Sequence, residues 1–547
     1  MEDTEIKIAR FSSCRGVAFE INPNRSNPFA IGSPPKQEER IGTWLWLPWT
    51  RTSSFKVLPQ PHTISPTRSR TSSHFCDIDA DDDGVELEFI AEFQDLEKQE
   101  KSNGVKVQKL LPKTDPPRST SRLSIILLDQ GFTMYKWLFL VCVTMNVVAL
   151  ALSAAGYFPY AKTNATLFSI GNILALTLCR SEAVLRVIFW LVVKAIGRPC
   201  VSLRLKTAST SFLQSLGGIH SGCGVSSIAW LVYSLVLTLG NREKTSSEII
   251  GVACSILLLI LLSSLAAFPL VRHLHHNVFE RTHRFAGWMA LILLWVFIIL
   301  SSCYEPNSHT YDLTMSKLVK KQEFWFTLAT TILIVIPWLC VRRVKVSVSA
   351  PSSHASIIKF EGGVKAGLLG RVSPSPLSEW HAFGIISDGE KEHMMLAGAV
   401  GDFTKSLIST PPKHLWVRTM HFAGLPYLVN LYQRVLLVAT GSGICVFLSF
   451  LLQPSPADVC LIWVAKDIEL NFGKEIRELV NKYSKEKVMV HDTAISGRPN
   501  VAEMSVNAAI RWNVEVVIVT SNPQGSRDVL RACKRAKIPA FGPIWDS

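Results

Sequence analysis

A chain that repeats apolar runs of about 20 residues has few folds open to it, because each run is long enough to cross the roughly 30 Å hydrocarbon layer of a bilayer as a helix. This sequence carries six such runs, at 134–156, 167–194, 222–240, 248–271, 285–303 and 323–341. In lipid every backbone polar group must find its partner within the protein, so residues 131–345 are expected to form a polytopic six-span α-helical bundle. The second run contains Arg180 and Glu182. Charges within a span face the bundle interior or a polar cavity, and two opposite charges this close can also pair with each other.

The connecting segments set the orientation. "KAIGRPCVSLRLK", "RHLHHNVFERTHR" and "RRVKV" are basic and fall on one side, whereas the segments with "PYAKTNAT", "GNREKTSSE" and "YEPNSHTYDL" are mixed or acidic and fall on the other. Positive residues stay inside, which puts both termini in the cytosol. The Asn-Ala-Thr glycosylation pattern at Asn164 then lies on the outer side. A net charge of +14 fits such basic flanks, and no Lys/Arg stripe interleaves with aromatics, so nucleic acid is not an expected partner. The twelve cysteines stand singly with no CxxC, which argues against a secreted disulfide scaffold and against a zinc module. The start "MEDTEIKIARFSS" is acidic and lacks an apolar core, so neither a signal peptide nor a transit peptide is expected. Residues 1–130, with "SPTRSRTSS" and "DIDADDDG", read as a disordered cytosolic tail, with one short helix in "GVELEFIAEFQDLEKQEK".

Beyond residue 346 the chain reads as a soluble domain. A β-like run with turns occupies 356–410. "RVLLVATGSGICVFLSFLL" then follows as a strand, a Gly441-x-Gly443 turn and a helix. "DVCLIWVAKDIELNFGKEIRELVNKY" and "NVEVVIVTSNPQGSRDVLRACKRA" repeat the strand–helix alternation, which predicts a parallel sheet over 433–547. A glycine turn between strand and helix lets a pyrophosphate approach backbone amides, although such turns also occur for tight packing alone. "TSNPQGS" puts a second turn on the same carboxyl edge, where ligands of such sheets bind.

Several segments in order resemble the ferredoxin-reductase-type flavoproteins, in particular the ferric reductase and NADPH oxidase branch. "WHAFGIIS" (380–387) is similar to that family's His-Pro-Phe-Thr/Ser flavin motif, and "GDFTKSL" (401–407) to the Gly-Asp-Trp-Thr segment that follows it. "GSGICVFLSFL" is similar to its nucleotide turn, "IWVAKD" and "GRPN" come in the family's order, and "SNP" (521–523) stands at its Cys-Gly-Pro. The resemblance implies an antiparallel flavin barrel at 346–432 and an NAD(P)-binding domain at 433–547. His381, Phe383 and Ser387 would line FAD, and Asp402 and Thr404 would belong to the same cofactor site. Gly441 and Gly443 would take the nucleotide diphosphate. Lys466 and Arg498 would hold a 2′-phosphate and so favour NADPH over NADH. Ser521 would stand beside the nicotinamide, and Trp545 or Phe541 would be the terminal aromatic. Ala382, Val446 and Ser521 depart from the family's residues. These departures keep open a second reading, a flavoprotein fold with weak or no turnover that senses nucleotide or redox state, and a third, a structural membrane protein with a relic domain.

The same branch carries two bis-histidine haems, with two histidines about 13 or 14 residues apart on each of two spans. Here the third run has His220, and 14 residues on stands Ser234. The fifth run has His283, and 13 and 14 residues on stand Val296 and Phe297. Both retained histidines fall at cytosolic ends. By themselves they read as interfacial residues; with the resemblance they imply one haem b at most, the inner one. His273, His275 and His276 have no matched partner and read as basic interfacial residues. Electrons would then go from NAD(P)H through FAD to a small-molecule or lipid-soluble acceptor at the membrane. The overall pattern is similar to the fungal TmpA-type transmembrane flavoproteins and their plant relatives, which also carry the label adenylate-forming reductase. No Ser/Thr/Gly-rich phosphate loop ending in Lys is present, so adenylation is not expected.

Overall fold

The apolar runs become helices, but not six equal ones. The structure, a computed structural model, describes residues 133–544 apart from 269–270, 273–275 and 313–314, all of them within one unit of the chain. The expectations for the tail, for His273 and His275 and for Trp545 lie outside the described residues.

Five helices are long and apolar enough to cross a membrane: α1 (Met134–Ala154), α5 (Gly217–Gly240), α6 (Ser247–Ala266), α7 (His276–Cys303, of which Val278–Cys303 qualifies) and α8 (Gln322–Leu339). The expected second span is instead two helices, α2 (Ala165–Leu178) and α3 (Glu182–Ile196), broken at 179–181. At 1.5 Å per residue the 14 residues of α2 reach about 21 Å, short of a full crossing. The break follows from the two charges. A continuous helix would hold Arg180 and Glu182 at one level of an apolar layer. Ser181, extended at ψ 111°, turns the chain so that Glu182 opens α3 beside cationic partners. An amphipathic helix, α4 (Leu203–Gln214), capped by the Ser202 hydroxyl, then leads into α5.

The helices pack with α2 and α1 against α5, and α6 against α7. Several polar groups within the bundle are paired. Asn146 Oδ1 accepts from Trp230 Nε1 and from Asn172 Nδ2, both at 2.9 Å. Such pairing is what burial away from water demands.

Two antiparallel sheets follow. One is built from β1 (Val341–Lys345), β4 (Leu368–Ser373), β5 (His381–Gly384), β8 (His414–Arg418) and β9 (Phe422–Ala423), in the order β9-β4-β8-β1 with β5 also on β4. The other runs β2-β3-β7-β6, from β2 (Ser347–Ser349), β3 (Ala355–Glu361), β6 (Ile386–Ser387) and β7 (Glu392–Gly398). A short helix, α9 (Asp402–Ser409), follows β7.

The last part is a five-stranded parallel sheet of β10 (Arg434–Thr440), β11 (Asp458–Ala465), β12 (Val488–Asp492), β13 (Val516–Thr520) and β14 (Ala540–Phe541), in the order β12-β11-β10-β13-β14. Helices α10 (Ile468–Asn481), α11 (Val501–Arg511) and α12 (Pro523–Arg535) connect its strands. Its central strand reads as a continuous apolar run because both of its faces are covered. Val435, Leu437 and Ala439 enter one core, and Leu436 and Val438 the other. The first core also holds the interior of the antiparallel sheets together with Phe189, Leu213 and Leu216. Helices α3 and α4 therefore share a core with both soluble sheet systems.

Candidate functional site

The chain leaves β10 at a Gly-x-Gly turn whose first glycine has φ +53°, the left-handed region that glycine adopts at no steric cost. The turn runs into a 3₁₀ segment, Gly441–Val446, and only then into a five-residue helix, Leu448–Leu452. The regular helix expected after the glycines is thus absent from this position. Trp463 Nε1 donates to the Gly441 carbonyl at 3.0 Å, which fixes the turn over β11. The strand order reverses between β10 and β13, and Ser521 follows β13. Ser521 and Thr440 join their hydroxyls at 2.8 Å, so the glycine turn and the "SNP" turn lie side by side at this switch point. Ligands of open parallel sheets bind there, outside the carboxyl ends of the strands. Asn522 caps α12, accepting from Gly525 N.

Lys466 and Arg498 are exposed and follow β11 and β12 on the same edge. Between those strands the Asp492 carboxylate accepts from the backbone N–H groups of Asp467 and Ile468 at 2.9 Å each, and so occupies the positive end of α10. Sequence reading missed Asp492; its place at a strand end before a small-residue turn was the available signal.

The antiparallel sheets meet the glycine turn closely. A Cβ on Gly384 would come within 2.7 Å of Val446 N, and one on Gly398 within 2.9 Å of the Ser442 hydroxyl. On the side of the antiparallel sheets His381 stacks on Phe403 at 4.4 Å and 8°, which joins "WHAF" to "GDFT" as one aromatic face. Phe383 is buried. Ser387 is buried as well, and its hydroxyl is fully used: it donates to Glu392 O and accepts from the N–H groups of Val364 and Gly389. Thr404 is buried, its hydroxyl paired with Gly401, and Asp402 opens α9. The structure thus brings His381 to Phe403, and Gly441 to Ser521, while Ser387 and Thr404 hold loops in place.

In the helical part His220 on α5 and His283 on α7 face each other with ring centroids 6.5 Å apart. His220 Nδ1 donates to the Leu176 carbonyl at 3.0 Å, and His283 Nδ1 lies 3.2 Å from the Ser263 carbonyl and 2.8 Å from its hydroxyl. A carbonyl only accepts, so Nδ1 of His220 carries a proton, whereas Nδ1 of His283 also meets a hydroxyl that can either donate or accept. One turn further on, a Cβ at Gly224 or Gly287 would meet nothing within 4 Å. The positions 14 residues on are different. Ser234 shares a 2.7 Å hydrogen bond with Thr166. Phe297 packs in the core of the bundle, where the remaining cavity is ≈ 20 Å³. For His276 only the backbone is described, as the first residue of α7.

The two parts touch through α4. Gln214 Nε2 donates to the Gly542 carbonyl, just past β14, and His220 lies six residues further along the chain. The carboxyl edge of the parallel sheet is thereby held against the end of the bundle that carries the histidine pair.

Residues 425–547 match the family described as Adenylate-forming reductase 03009, C-terminal domain. Two adenylate-forming reductases of Coprinopsis cinerea, 06235 and 03009, are each 32% identical to this chain, over 439 and 438 residues respectively. Each alignment takes in 79% of this chain and 42% of the relative, so the chain spans less than half the length of the curated relatives it matches. Among solved structures, phthalate dioxygenase reductase is similar at 12% identity and TM-score 0.28, over 37% of this chain and 68% of that one. A ferredoxin-NADP+ reductase mutant from Plasmodium falciparum is similar at 10% identity and TM-score 0.29, over 37% and 95%.

Proposed function

We propose that this chain is a membrane-embedded oxidoreductase that takes electrons from NAD(P)H through FAD, and through one haem between His220 and His283, to a small lipid-soluble acceptor. The observation that carries the reading is the meeting of two sites at one end of the bundle: the switch point with Gly441 and Ser521, and the His220–His283 pair, joined by Gln214 and Gly542.

The histidine pair fits an iron between its rings. Two metal–imidazole bonds of about 2 Å each, with the ring radii added, come near the observed 6.5 Å. The Leu176 carbonyl holds Nδ1 of His220 as a donor and so would leave its Nε2 as ligand, a usual outer partner of a metal-bound histidine, and Ser263 is placed to do the same for His283. Haem would supply one-electron transfer at this level, and FAD the conversion of a hydride into single electrons.

The chain's own residues do the rest. The glycine turn and Ser521 would orient the nucleotide at the switch point. The His381–Phe403 face would stack against a flat ring. Exposed Lys466 and Arg498 would meet a 2′-phosphate. The five long helices, with α2 beside them, would lie in the bilayer, with the sheets on the cytosolic side. The packed outer half, where Thr166 bonds Ser234, leaves no room for a second haem and points to an acceptor that reacts at or within the membrane.

A second reading, a sensor without turnover, is favoured by Ser521, which is 2% exposed and tied to Thr440 where the resembled family has cysteine. One measurement separates the two: absorption of the purified chain, oxidised and dithionite-reduced, with NAD(P)H consumption in parallel. The oxidoreductase reading expects flavin bands, one reduced Soret band and nucleotide oxidation. Colourless protein that takes up no FAD on reconstitution defeats it.

A further inference from the structure

Glu182 sits where the sequence puts an isolated acid in an apolar run, and the structure gives it two partners from the barrel rather than its neighbour Arg180. Oε1 pairs with Arg371 on β4, and Oε2 accepts from Arg418 Nη1 on β8 at 3.1 Å. The carboxylate is only 11% exposed.

Both arginines flank the flavin-motif strand. Arg371 stands opposite Ala382 in the register and lies 5.0 Å from the Phe422 ring, and Arg418 lies 4.9 Å from the ring of Trp380, the residue before His381. On the other side, Glu182 begins α3 only six residues after Leu176, whose carbonyl fixes His220. One route between His220 and the His381 strand runs through this acid, by way of Leu176, the 179–181 break, Glu182, Arg371 and Arg418, then β5; a second leaves α7 at Arg284, beside His283, for the Ser378 carbonyl.

The local charge makes this link sensitive. Arg180 lies within electrostatic reach of Arg371 and Arg272, and Arg418 within reach of Arg371 and Arg284. Removing one partner of a buried pair leaves the others uncompensated, which costs far more than a surface ion pair is worth. Other contacts across the junction are more exposed or go to backbone: Arg281 with Glu379 at 61% exposure, and Arg186 to the His421 carbonyl.

We infer that Glu182 is a positioning residue that sets the barrel's flavin strand against His220 and so governs electron passage between the two parts, without taking part in nucleotide oxidation. The inference rests on the oxidoreductase reading.

The test uses the full chain in lipid nanodiscs, as wild type, E182Q and E182D. Hydrogen exchange is read at 381–384 and at 176–181, alongside two NADPH-driven rates: bleaching of the flavin and appearance of the reduced Soret band. In E182Q, exchange should rise in both segments together, flavin bleaching should stay within about twofold, and Soret appearance should slow by about tenfold or more, because the relative position of the two parts and not the hydride step has changed. E182D, which keeps the charge on a shorter arm, should recover part of the rate. Unchanged exchange in either segment, or equal slowing of both rates, overturns the inference. If the wild type shows no flavin or no Soret band, the oxidoreductase reading fails instead, and the exchange result alone decides whether Glu182 couples the two segments.

Discussion

The half of the helical bundle nearer the sheets, the inner half, and the half away from them, the outer half, are built from the same helices and make opposite use of them. At the inner end α5 and α7 each present a histidine, the rings face each other at 6.5 Å, and the glycines one turn on leave open space. Fourteen residues further on, the same two helices present Ser234 and Phe297, a hydrogen bond closes across to α2, and Trp230 stacks on Phe168 at 4.6 Å. One half sets two rings opposite each other, and the other closes with packed side chains and a hydrogen bond. Helix geometry makes both outcomes possible from a few side chains, because positions 14 apart return to nearly the same face after almost four turns.

The largest expected effect separates the halves outright. His220→Ala should abolish the reduced Soret band, whereas Ser234→Ala should leave it intact. A band that survives in His220→Ala, or is lost in Ser234→Ala, would break the comparison.

Next is the packing of the outer half. Trp230 is completely buried, and its Nε1 donates to Asn146. Trp230→Ala should cost about 3–5 kcal/mol through the cavity it leaves, while Asn146 Oδ1 keeps its bond from Asn172. Thermal unfolding of the purified chain should show this as a lower midpoint. A midpoint like that of the wild type would mean the outer half is looser than its contacts imply.

The smallest expected effect lies at the junction under the inner end. His393 and His421 sit with ring centroids 5.6 Å apart, and the His421 carbonyl accepts from Arg186 on α3. Burial, then His393 and Arg186, push His421 down to about 4, and burial outweighs the Gly362 carbonyl in lowering His393. Both bind protons more readily unfolded than folded, so their neutral forms favour the fold above the usual 6.5, and stability falls as pH drops from about 6.5 towards about 4. The slope for each is at most about 1.4 kcal/mol per pH unit. Glu182 works the same way lower down. Burial raises it, but Arg371 and Arg418 lower it further, and the stability it lends is present above 4.5 and lost as pH falls through its depressed value. His421→Asn should flatten the upper part of this profile and leave the Trp230 effect unchanged.

Much of the architecture was legible in the residues. Run length gave the apolar helices, and strand–helix alternation gave the parallel sheet and its glycine turn. His220 and His283 were paired only through the family resemblance, since each alone reads as an interfacial residue, and the structure sets their rings 6.5 Å apart. The break at 179–181 was not, since Arg180 and Glu182 read equally well as an internal pair; only the arrival of Arg371 and Arg418, some 190 and 240 residues later, decides it. Ser387 and Thr404 matched cofactor positions in the sequence, yet their hydroxyls are committed to the protein's own backbone, which no local pattern reveals.

What the sequence determined by itself is what hydrophobic periodicity and strand–helix alternation encode: which stretches bury their surface as helices and where a sheet must be parallel. What only the tertiary structure decided is which groups are satisfied and by whom. The pairing of Glu182 with the barrel, of Gln214 with Gly542 and of Ser521 with Thr440 depends on contacts between residues far apart in the chain, and burial makes each of those pairings a matter of physical necessity.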